Sequence, residues 1–190
     1  MNKPLLKESI DFCLESTIPG IHKAILSNNR YDVIKTVTSR ANRDVLTGSR
    51  FWDSNYSGNV DYYKNTLNCL IDNHFSSLSS KILIDEMIKL NIHCAKIGSI
   101  QKLVNMSIKY LYVISLIKDG DFTIHINLSE CDCPLDSIII KRLSALNGKR
   151  YTSWTKIDTL DEYLSIQGDI SQYVKTSNLE FDFYNWFTTS

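Results

Sequence analysis

Apolar positions recur at helical spacing along most of the chain. Leu5, Leu6, Ile10, Cys13 and Leu14 predict a first helix over 4–15, with acidic residues on its other side. Pro19-Gly20 ends it, and helices over 21–27 and 31–46 follow, divided by Ser27-Asn28-Asn29. Residues 47–59 read as a loop. Helical spacing resumes over 60–75 and 81–90, the latter with Ile82, Leu83, Met87, Ile88 and Leu90 on its apolar side. From Ile100 the positions 100, 103, 104, 108, 111 and 115 fall on one stripe, all apolar but Ser115, and from Tyr110 onward the sequence is apolar nearly all round. This predicts the central and most buried helix. At 100° per residue Lys102 and Lys109 lie opposite the stripe with Met106 and Val113 between them, facing solvent or a cleft.

Asp119-Gly120-Asp121 reads as a turn, and Thr123 to Leu128 alternates like a short strand or extended loop without an evident partner. Pro134 suits the first position of a new helix, which makes Cys133 its cap and Asp136 a first-turn acid. That helix runs through Ile138, Ile139, Ile140 and Leu143 to Asn147-Gly148, where glycine can take the left-handed conformation. A further helix over 160–166 has Asp158 or Thr159 as cap. Leu179, Phe181, Phe183, Tyr184, Trp186 and Phe187 predict a terminal helix that docks back on the core. The expected fold is all-α and multi-helical, a single domain over 1–190. With 43% hydrophobic residues, the chain can bury one core or form two small lobes sharing a cleft.

Lys plus Arg equals Asp plus Glu at 21 each, so the whole chain has no general attraction to phosphate and any nucleic-acid contact must be local. The charge is uneven. Residues 81–156 carry eleven cationic against seven acidic side chains, whereas 157–190 carry one against six. The middle could face DNA and the tail could not. Five cysteines without a CxxC unit argue against a secreted disulfide framework and for a reducing cytoplasm. Charges interrupt the first residues, unlike a signal peptide, and the longest apolar run, 110–117, is too short to span a bilayer, so a soluble protein is expected.

Lys102 stands near the predicted start of the central helix, where a cation opposes the positive end of the helix dipole. Asp136 stands near the start of the next helix. A broken local preference can mark a functional residue. Gly98-Ser99-Ile100-Gln101-Lys102 and Pro134-Leu135-Asp136 together resemble the hairpin, nucleophilic lysine and aspartate of helix-hairpin-helix DNA glycosylases, nearest to the archaeal 8-oxoguanine class. The similar region covers 80–147. Ser99-Ile100-Gln101 stands where the family usually has a second glycine, and no cluster-binding cysteine quartet follows.

The resemblance implies two helical lobes around a cleft and a DNA partner, with hairpin residues Gly98, Ser99 and Gln101 offered to a phosphate. It also implies that Lys102, as a neutral amine, attacks the sugar C1′ of a flipped nucleotide, displaces the base and forms a Schiff base. Asp136 would stabilise charge on the sugar or manage the amine's proton. No cofactor is implied. Arg50-Phe51-Trp52, with Tyr56, is the best candidate wall for a base pocket, although Phe51 and Trp52 could equally plug their loop onto the core. Lys149 and Arg150, beside Lys141, Arg142, Tyr151 and Trp154, are candidate phosphate contacts. Cys131, Cys133 and the histidines form no ligand motif, and no metal is expected. The alternative is a noncatalytic helical interaction or inhibitor module, in which Lys102 is incidental and the aromatic, acidic tail serves a protein partner.

Overall fold

A computed structural model describes residues 3–117 and 124–185. Among these the architecture is all-α. The helices in chain order are α1 (Lys3–Thr17), α2 (Ile21–Leu26), α3 (Arg30–Ser49), α4 (Ser54–Gly58), α5 (Val60–Asn73), α6 (Ser80–Lys89), α7 (Ile97–Ile117), α8 (Ser137–Asn147), α9 (Leu160–Ile170) and α10 (Leu179–Asn185). Short 3-10 turns occupy Leu128–Glu130, Trp154–Lys156 and Ser171–Tyr173. No described helix is long and apolar enough to cross a membrane.

The core forms where α3 and α7 pack along each other, with α5 against α3 and α6 against α7. Asn29 starts α3 by accepting the Tyr31 N–H, and Val33, Ile34, Val37, Ala41 and Val45 then bury one stripe. α5 does the same with Tyr63, Leu67, Leu70 and Ile71. Ser79 caps α6, which buries Leu83, Ile84 and Met87. At the other end of the chain, α10 docks through Leu179 and Phe181, as the aromatic run predicts. Trp186 and Phe187 lie outside the described residues, as does the Asp119-Gly120-Asp121 turn. Thr123 also lies outside the described residues, and 124–127 supplies one isolated parallel bridge, Leu78 with Ile126, before the 3-10 turn.

Three local readings are corrected. Residues 47–59 are not a continuous loop, since α3 runs to Ser49 and α4 follows. The polar residues responsible for the loop reading do structural work there. Asp53 accepts the Tyr56 N–H through one oxygen and the Lys96 N–H through the other, and Tyr56 is fully buried with its hydroxyl donating to Asn42. Second, α7 begins at Ile97, which places Lys102 in its second turn, beyond the orphan N–H groups of the helix end. Third, Asp136 is itself the N-cap of α8 and Cys133 lies before the helix. The burial of α7 also runs opposite to its apolar content. Residues 97–108 are buried, polar ones included, while Tyr112 and Val113 are half-buried and Leu116 is exposed.

Candidate active site

Lys102, Met106, Lys109, Tyr110 and Val113 recur on one face of α7 at the three- and four-residue spacing that aligns side chains along a helix. This face lines a cavity of about 750 Å³. Ile10, Cys13 and Leu14 of α1 close one wall, Arg40, Asp44 and Thr47 of α3 another, and Phe183 of α10 and Asp136 complete it. The lysines opposite the first packing stripe therefore face a cleft.

The loop leading to Asp136 is fixed by buried side chains. Gln101 of α7 reads both polar groups of Leu135. Its Nε2 donates to the Leu135 carbonyl at 3.1 Å and its Oε1 accepts the Leu135 N–H at 3.1 Å. One turn on, Asn105 Nδ2 donates to the Cys133 carbonyl and the Tyr163 hydroxyl, and Tyr163 donates to Asp132 at 2.7 Å. Gln167 of α9 takes the Cys133 N–H and gives an N–H to its carbonyl. Ser80 accepts the Asp132 N–H at 2.6 Å. Leaving any of these backbone groups unpaired in the interior would cost about 1–3 kcal/mol, so the network holds the loop in one conformation.

Asp136 emerges from this clamp at the start of α8. Its Oδ1 accepts the N–H groups of Ile138 and Ile139 at 2.8 and 3.0 Å, and its Oδ2 points to Lys102, 3.9 Å from Nζ. Lys102 is only 8% exposed. Burial holds its pKa below the ordinary lysine value, against the opposing pull of Asp136, Asp44 and Asp182, and Lys109 pushes in the same direction as burial. The amine sits 4.4 Å from the centre of the Trp154 ring. Two glycines make room for that tryptophan. A Cβ on Gly48 would lie 2.2 Å from the indole, and one on Gly98 would lie 1.8 Å from the Trp154 carbonyl oxygen.

Further charges meet at the cavity. Lys109 pairs with Asp182 of α10, whose side chain is 1% exposed, and lies over the Phe183 ring. Arg40 pairs with Asp44, which also accepts the Tyr110 hydroxyl at 2.7 Å. Cations and carboxylates thus line an otherwise apolar chamber, each ion matched by an opposite one as burial demands.

Of the residues singled out by sequence, the structure brings Lys102 and Asp136 together. It does not present Gly98, Ser99 and Gln101 as an exposed hairpin turn. All three are buried, the Gly98 N–H is donated to the Ile157 carbonyl, and the Ser99 N–H to that of Lys96. Gln101 has an internal role as the clamp on Leu135, and Gly98 gives Trp154 its close approach. Arg50, Phe51 and Trp52 do not line the cavity either. They stand at the exposed corner after α3, with Phe51 87% and Trp52 56% accessible. Lys149 and Arg150 are on the surface, Lys149 bound to Asp169 at 2.7 Å. The sequence reading missed the roles of Asn105, Arg40, Asp44 and Asp182. The available signal was the set of polar residues, Ser99, Gln101, Lys102, Asn105 and Ser107, interrupting the first half of an otherwise apolar helix. No protein-family model, curated protein or solved structure matches the chain.

Proposed function

We propose that this protein is a DNA glycosylase with abasic-site lyase activity, in which Lys102 is the nucleophile and Asp136 its partner. The observation that carries the reading is a buried amine 3.9 Å from a carboxylate on the wall of a largely apolar cavity. Desolvation favours the neutral amine that nucleophilic attack requires, and a cavity of about 750 Å³ falls within the size range of small-molecule pockets.

In the proposed reaction the nitrogen lone pair of Lys102 forms a bond to C1′ of a flipped nucleotide as the glycosidic bond breaks, and its electrons leave with the base. Asp136 accepts the proton that the new secondary ammonium must lose. Asp136 then hands that proton to O4′ as the C1′–O4′ bond opens, which gives the protonated Schiff base and leaves Asp136 again a carboxylate that, with the Trp154 ring face, stabilises the positive charge. Abstraction of the acidified C2′ proton would expel the 3′ phosphate and cut the strand. Lys149 and Arg150 are the proposed phosphate contacts on the surface. The Lys149 end of its pair with Asp169 is exposed at 57%, so the amine is open to a phosphate.

Borohydride reduces such a Schiff base to a stable amine, which makes the reading testable. Oligonucleotides carrying 8-oxoguanine or an abasic site are expected to be trapped covalently by the wild type and not by Lys102→Ala. Equal trapping by both proteins, or none by either, would overturn the lysine mechanism and favour a noncatalytic helical module.

A further inference from the structure

The corner between α3 and α4 carries the most exposed aromatic pair beside cations in the described structure. Phe51 is 87% and Trp52 56% accessible, although large aromatic side chains are normally buried. Each ring has a cation above it, Arg50 at 6.0 Å from the Phe51 centroid and Lys156 at 5.2 Å from that of Trp52. Arg43 is exposed at the same helical register on α3, and Thr47 between Arg43 and Arg50 belongs to the cavity wall. None of these three cations makes a salt bridge among the described residues. The neighbouring acid, Asp53, is 3% exposed and turns both oxygens to backbone N–H groups. The corner therefore presents apolar ring faces in a field of positive charge.

It is also joined to the site. In the 3-10 turn Trp154–Lys156 the first side chain lies against Lys102 and the last against Trp52, so one short element spans from the buried amine to the exposed ring.

We infer that Arg43, Arg50, Phe51, Trp52 and Lys156 form a stacking platform for unpaired nucleotides, on which bases lie against the two rings and the linking phosphates against the three cations. Paired bases hide their faces in the duplex, whereas unpaired ones offer a face to any exposed aromatic, independent of sequence. The platform extends the proposed function by naming single-stranded nucleic acid, or a strand locally opened, as what lies beside the cavity. It rests on that reading only in taking nucleic acid as the partner.

The test is binding of a fluorescein-labelled deoxythymidine oligonucleotide and of a mixed-sequence duplex, followed by anisotropy in the absence of borohydride. Wild type is expected to prefer the single strand. Phe51→Ala combined with Trp52→Ala should weaken that binding about tenfold or more, since each stacked base contributes measurably. Arg50→Glu with Lys156→Glu should weaken it too and flatten the dependence on salt by about 0.7 per lost phosphate contact. Both pairs lie on the surface, and unchanged circular dichroism would exclude unfolding as the cause. Undiminished binding by the Phe51/Trp52 variant, equal affinity for duplex, or no binding by wild type would each overturn the platform. Platform-dependent binding without borohydride trapping would overturn only the Lys102 chemistry.

Discussion

At the residue scale, the site depends on how far two opposing influences move one proton. Burial favours the neutral form of Lys102, while Asp136, with Asp44 and Asp182, favours the charged form. Asp136 also caps α8, and asparagine caps nearly as well as aspartate, so Asp136→Asn removes the charge with the cap retained. The sign of the outcome follows. Without the carboxylate the ammonium loses an attraction, its pKa falls further below 10.5, and the neutral amine persists to lower pH. Single-turnover trapping measured against pH should therefore rise with a midpoint lower than in wild type. Its plateau should also fall, because the proposed acceptor of the amine's proton is gone. A midpoint displaced upward, or not at all, would count against the pairing. Asp136→Ala differs in a second respect, losing about 1 kcal/mol of stability with the cap.

At the element scale, long stripes were easier to read than ends. The stripes of α3 and α5 follow directly from apolar spacing, whereas on α6 Leu83 and Met87 are buried as expected but Ile82 and Leu90 are exposed and Ile84 is buried instead; the glycine ending α8 takes the left-handed conformation expected of it, with φ of 72°. Errors arose where polar residues serve the interior. Asp53, Tyr56 and Asn42 make a capped and buried corner out of what reads as loop composition, and Asp136 caps α8 from two residues beyond Pro134. The start of α7 was hidden for a related reason. Gly98 resembles punctuation in the sequence, yet it lies within the first turn because the Trp154 backbone comes close enough to exclude a side chain. Such an approach depends on residues distant in sequence, and local periodicity carries no trace of it. The consequence can be measured by urea unfolding. Gly98→Ala should lose about 1–3 kcal/mol or more through overpacking. Gly58→Ala, where a Cβ meets nothing within 4 Å, should change stability by less than about 1 kcal/mol. Equal effects at the two positions would refute the packing role of Gly98.

At the scale of the whole molecule, the uneven charge of the sequence is partly used up inside the fold. The acidic region after residue 157 sends Asp182 to Lys109 and Asp169 to Lys149, so two acids of the tail are joined to cations of the basic middle. The pairs are not equivalent. Lys149 is 57% exposed at its side chain and Asp169 11%, whereas Lys109 is 14% and Asp182 1%. Water reaches the cationic end of the first pair and screens it, but both ends of the second are withdrawn from solvent. It ties α10 to α7 at the same cavity wall to which Phe183 contributes. Lys109→Met takes from the buried Asp182 carboxylate its ion partner and should cost about 3–5 kcal/mol, and Asp182→Leu breaks the same pair from the other side. The double variant replaces both ions with apolar groups and should recover most of that loss, because two desolvation costs disappear together. A thermodynamic cycle from urea unfolding distinguishes this from simple packing damage, for which the two losses would add. If the double variant refolds and keeps Lys102-dependent trapping, the charged pair serves mainly to close the cavity. If stability returns while trapping does not, the ions themselves set the electrostatics around the amine.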